Sequence, residues 1–142
     1  MTAKEYLSQA YRVDRMITAK LQQVQSLREL ATRATSTLSD APHGGSRNNH
    51  RMEDIIAKMI DLENEINGDI DRLVDLKRGI VAAIKAVPDP DHQVLLELRY
   101  LCFRSWGEIA ADIHYSKQHT FRLHESALKK ISVPQNGESK TT

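Results

Sequence analysis

Lys117, Gln118, His119, Phe121 and Arg122 bring together, within six positions, the side-chain types that read nucleic acid. A glutamine amide can pair with adenine in a major groove, an arginine can take guanine or a phosphate, and a lysine answers backbone charge. Phe121 fits either a thymine methyl or a hydrophobic interface. From Ser116 to Ile131 four cations (Lys117, Arg122, Lys129, Lys130) stand against the single acid Glu125, with His119 and His124 able to add charge beside phosphate. The whole chain carries a net charge of only +1. A basic helix on a near-neutral protein is a patch, suited to docking in one place rather than to coating a polyanion. A helix dipole also favours cations toward the C-terminal end, so an ordinary solvated helix face is the alternative.

Other chemistry is harder to assemble. The six histidines, at 43, 50, 92, 114, 119 and 124, contain no i, i+4 pair of the kind that puts two ligands on one helix face. There is no phosphate-cradling glycine loop and no nucleophile motif, and the carboxylates between residues 53 and 85 read as a solvated face. No enzymatic activity, metal or cofactor is expected. Cys102 is the only cysteine, which rules out an internal disulfide or a cysteine-based zinc site; between Leu101 and Phe103 it reads as a buried thiol. The N-terminus lacks an apolar signal core, and no run approaches the ~20 residues that span a bilayer. A cytoplasmic location, without a membrane partner, is expected.

The elements that must position the five residues are short. Ser105 and Glu108 have the spacing of a capping box, so a helix should start at Trp106 and bury Trp106, Ile109, Ala110 and Ile113 along one stripe. Ser116 should cap a second helix whose inward set is Thr120, Leu123, Ala127, Leu128 and Ile131. Only His114, Tyr115 and Ser116 separate the two, so they should cross steeply as a helix-turn-helix, with the second helix entering a DNA major groove. Glu108-Ile109-Ala110 followed by Ile113, Ser116, Leu123 and Ala127-Leu128 resembles the helix-turn-helix of sigma factors that recognises the minus-35 element. With the long helical region before it, the chain is similar to phage-encoded sigma-like regulators of Gram-positive bacteria. That resemblance implies late-gene transcription regulation in a bacterial host cell, double-stranded DNA as partner, and host RNA polymerase as a further contact. It places Lys117, Gln118, His119 and Arg122 on the DNA-facing surface. The family's usual turn glycine is replaced by His114.

Upstream, Thr2 and Glu5 form another capping box, and Tyr6, Ala10, Val13, Ile17, Leu21, Val24, Leu27, Leu30 and Ala31 keep one helical face dry to about Ala34. Residues 35–50 read as a flexible loop centred on Pro42 and Gly44-Gly45. Beyond it Met52, Met59, Ile66, Leu73, Ile80 and Val87 repeat every seven residues, with Ile55, Leu62, Leu76 and Ala83 interleaved and Asp69 as the exception, which is a coiled-coil seam. Ile56, Ile70 and Ile84 widen it. The segment Lys4–Arg33 carries six cations against three acids and Glu53–Lys85 five against eight, favouring antiparallel pairing. Asp89 and Pro90 should cap and open a third helix, with Val94, Leu95, Leu98, Leu101 and Cys102 inward.

The expected architecture is all-α: a long antiparallel, coiled-coil-like helical hairpin over 1–87, a helix-turn-helix module over 88–132, and a disordered tail over 133–142. Met59, Ile66, Leu73 and Ile80 are the hairpin or oligomer seam, with a homo-oligomer, a dimer foremost, as its product. Two further functions fit the pattern. One is an interaction protein that binds RNA polymerase or a sigma factor without touching DNA. The other is a DNA-packaging component.

Overall fold

The computed structural model describes residues 1–40 and 45–134. These form five helices: α1 (Ala3–Asp40), α2 (Gly45–Lys85), α3 (Pro90–Tyr100), α4 (Trp106–Ile113) and α5 (Lys117–Lys129). Among the described residues there is no strand. The start of α1 is fixed by reciprocal bonds: Glu5 N donates to Thr2 Oγ1 at 3.1 Å and Thr2 N to Glu5 Oε2 at 3.1 Å. Two compact units divide the chain, Met1–Arg12 with Leu73–Thr142, and Val13–Arg72.

In the first unit the core is Leu7, Ala10, Ile80, Ile84, Val87, Leu95, Leu96, Tyr100, Ile109, Ala127 and Ile131. Helices α3, α4 and α5 all contact one another. Asp89 caps α3, accepting from Asp91 N at 2.9 Å, and Pro90 takes the first turn, where its missing N–H would have had no partner anyway. Gln93 secures the preceding bend by donating from Nε2 to the carbonyls of Val87 and Lys85. These are among the last carbonyls of α2 and the bend beyond it, which lack helical partners. At Gly79 a side chain would meet α1: a Cβ there would stand 2.7 Å from Tyr6 Oη.

In the second unit α1 and α2 run in opposite directions. Lys20 Nζ donates to Asp69 Oδ2 at 2.7 Å and lies 3.6 Å from Glu65 Oε1, while Leu27 and Leu62 line the same groove one to two turns away. Asp69, the break in the apolar repeat, is thereby matched by a cation from the facing helix. The hydrogen bond to Asp69 raises the Lys20 pKa. Among the described residues of this unit, Val13, Ile17, Val24 and Ile66 are the buried apolar ones.

Several expectations need correction. Both long helices extend into the region read as a loop: α1 runs to Asp40 and α2 begins at Gly45, because extending an existing helix costs far less than nucleating one. Residues 41–44, the centre of that loop, and 135–142, most of the expected tail, lie outside the described residues. Leu21 and Leu30 are exposed while Leu7 is fully buried, since one facing helix cannot cover so wide a stripe. Ile56 and Ile70 are exposed for the same reason, whereas Ile84 is in the core. The buried face of α3 is rotated by about one residue, to His92, Leu95, Leu96 and Tyr100, leaving Val94 exposed. Cys102 is exposed rather than buried. Past the end of α3, Cys102 N bonds back to Glu97 O at 3.0 Å and Phe103 takes a positive φ of 58°. The reversal packs Leu101 and Phe103 against the core and turns the intervening thiol outward.

Candidate nucleic-acid interface

Helix α4 begins with the reciprocal bonds its spacing dictates: Glu108 N donates to Ser105 Oγ and Ser105 N to Glu108 Oε1, both at 3.2 Å. The hydrogen bonds that Ser105 gives the Glu108 carboxyl, from its backbone N–H and then from its side chain, hold that carboxyl below its ordinary pKa. The helix ends at His114, whose φ of 61° and ψ of 38° are left-handed. His114 N donates to Ala111 O and Tyr115 N to Ala110 O, the paired bonds of a Schellman turn, in which glycine is the usual residue. Histidine tolerates the position at the cost of a strained φ. Two residues later Ser116 caps α5, its Oγ accepting from His119 N at 3.1 Å.

This start and register decide which side of α5 faces out. Thr120, His124 and Ala127 are buried and Leu123 and Leu128 half-buried, while Lys117, Gln118, His119, Phe121, Arg122 and Glu125 are exposed. Lys117 lies across the first turn of α4, close enough that a Cβ on Gly107 would be 3.7 Å from its Cε. The His119 ring stands edge-on to Tyr115 at 4.4 Å. Phe121 is 42% exposed and meets Trp106 edge-on at 5.3 Å, so one edge of the phenyl is held and the other is free. The outward surface of α4 is acidic by comparison, with Arg104 3.6 Å from Glu108 and 3.8 Å from Asp112.

His124 does not join the cationic surface. It is buried against Trp106, its Nε2 lies 2.6 Å from Tyr100 Oη, and burial, with Lys4 and Arg99 nearby, lowers its pKa to about 4. The imidazole is neutral at pH 7 and shares a hydrogen bond with the Tyr100 hydroxyl. Burial likewise pushes the Tyr100 hydroxyl up to about 12. Sequence spacing treats His124 as a surface group because it lies only two residues from Arg122; the signal that could have found it is its i+4 relation to buried Thr120.

A second cationic cluster comes from residues far apart in sequence. Lys4, Arg12 and Arg99 line a cleft of about 530 Å³ with Tyr11, Phe103 and Trp106, beside Ser105 at the start of α4. Arg99 is held there, donating to Arg104 O at 2.9 Å and stacking over the Trp106 ring at 4.6 Å. Nothing in the spacing of these residues announces the cleft, since the fold alone brings the start of α1 to α3 and α4.

The seam residues separate by burial. Ile66 and Ile80 are buried, and Met59 and Leu73 half-buried. Among the described residues no cluster of three or more His, Cys, Asp or Glu side chains is placed to hold a metal ion, and no helix is long and apolar enough to cross a membrane. Comparison with family models, curated proteins and solved structures finds no match for this chain.

Proposed function

We propose that this chain is a phage-type transcription regulator that binds promoter DNA through α5, in the cytoplasm of a bacterial host. In this reading α4 and α5 are a helix-turn-helix, α1 and α2 an antiparallel helical hairpin, and α5 the helix that enters the major groove. The observation that carries it is the outward set of α5. Lys117, Gln118, His119, Phe121 and Arg122 are all exposed on a helix whose opposite face is buried and whose start is fixed by a tight left-handed turn. Gln118 and Arg122 are assigned to base edges and Lys117 to phosphate. Lys4, Arg12 and Arg99 add cations beside the start of α4, the helix that crosses the backbone in such modules.

Binding to fragments of the phage genome over a salt series tests this. Affinity should fall steeply with salt. Lys117→Ala should weaken all sequences alike and reduce the salt slope by about one, whereas Gln118→Ala or Arg122→Ala should cost roughly 1 to 3 kcal/mol of discrimination at one base pair. Absence of salt-dependent binding, alone or with RNA polymerase, would sink the proposal.

A second reading, an adaptor that grips RNA polymerase or a sigma factor without DNA, is favoured by one observation. Phe121 and Tyr115 are exposed aromatics, a type enriched at protein interfaces, on the same short module as the acids Glu108 and Asp112, which repel phosphate. Capture of polymerase by a variant carrying Lys117→Ala and Arg122→Ala would support it.

A further inference from the structure

Helix α2 is apolar on two faces. One carries Met59, Ile66, Leu73 and Ile80, buried or half-buried. The other carries Ile56, Ile60, Ile70 and Val74, which remain 47, 51, 42 and 49% exposed, with exposed Glu63 and Asn67 between them. Positions 56, 60, 63, 67, 70 and 74 alternate steps of four and three, the spacing of a coiled-coil seam. At ~100° per residue the two faces are about 100° apart around the helix. A helix with one neighbour needs one such face; two at this angle belong to a helix in a four-helix bundle.

We infer that the Ile56–Val74 face of α2 docks against the same face of a second copy of this chain, antiparallel, across a two-fold axis passing between Glu63 and Asn67. The pattern itself selects this occupant. An isologous two-fold interface requires each patch to complement itself, and this one does when reversed. Ile56 meets Val74 of the second copy, Ile60 meets its Ile70, and the Asn67 amide donates to its Glu63 carboxylate. The same three contacts repeat on the other side of the axis. A parallel, in-register pair would instead set each Glu63 carboxylate against its twin. The polar layer weakens the seam but fixes register and direction, the established use of such residues in coiled coils. The stripe runs about 27 Å along one unbroken helix. Beside its middle, a groove lined by Glu63 and Asn67 also carries exposed Leu21 and a cation, Arg28.

The test uses the full chain carrying Cys102→Ser, so that no native thiol interferes, and contains no DNA, so its failure is separate from failure of the DNA reading. Sedimentation equilibrium should give twice the 16.1 kDa of one chain. Ile60→Asp should keep its circular dichroism, because the side chain is exposed in the single chain, yet raise the dimer dissociation constant roughly 100-fold or more. Asn67→Asp, a milder change, should weaken the dimer and do so less at high salt, as repulsion from Glu63 is screened. Glu63→Cys and Asn67→Cys chains should form disulfide-linked pairs efficiently only when mixed. A monomeric parent chain, dimers unaffected by both Ile60→Asp and Asn67→Asp, or efficient cross-linking of either cysteine variant with itself would each overturn the inference.

Discussion

Two histidines show how one residue type takes opposite roles within eleven positions. His114 holds a left-handed turn from the surface, and replacing it tests the turn without reference to DNA. His114→Gly should keep or slightly raise the melting temperature, while the β-branched His114→Val should lower it, because a branched side chain at this φ is a steric outlier. Equal melting temperatures would deny that the turn constrains the chain. His124 is buried and neutral, with a folded-state pKa of about 4 against the ordinary 6.5. The unfolded chain therefore takes up the proton first as pH falls. Stability conferred by the neutral imidazole is complete above pH 6.5 and declines toward pH 4, by on the order of 2 to 3 kcal/mol. His124→Gln keeps a hydrogen-bonding partner for the Tyr100 hydroxyl and should flatten that decline in urea melts taken across the window. A decline as steep as in the parent chain would assign it to other groups.

At the scale of elements, the two glycines of α2 make opposite demands. Gly68 faces open space, whereas a Cβ on Gly79 would run into Tyr6 Oη at 2.7 Å. Gly68→Ala should therefore gain roughly 0.5 to 1 kcal/mol of helix propensity. Gly79→Ala should lose that gain to displacement of the tyrosine, and recover part of it when combined with Tyr6→Phe. Denaturant midpoints compare the four chains directly. Nothing in the local sequence separates these glycines, because the difference lies in the other helix. The same limit governs the rest of the fold. The caps at Thr2, Asp89, Ser105 and Ser116 were legible because a cap is satisfied within three residues of itself. The exposure of Leu21, Val94 and Cys102 was not, because burial depends on which surface arrives from elsewhere. The outward set of α5 could be read from its period and cap alone, while Lys4, Arg12 and Arg99 meet only once the fold has formed.

For the whole molecule, near-neutral charge puts a ceiling on electrostatic binding. In the proposed DNA-binding reading, Lys117, Lys129 and Lys130 on phosphate would give one copy a salt slope of about 3 on duplex DNA. Titration of a duplex site across a salt range measures it. The chain also carries its own optical probe. It has a single tryptophan, Trp106, held between the Arg99 guanidinium, the edge of Phe121 and the ring of His124. Indole emission is quenched by a protonated imidazole in contact with it and by nucleobases stacked nearby. Fluorescence from the unlabelled protein should dim as the buried histidine gains its proton near pH 4, and change at neutral pH when a ligand covers Phe121, giving two separate signals from one chromophore.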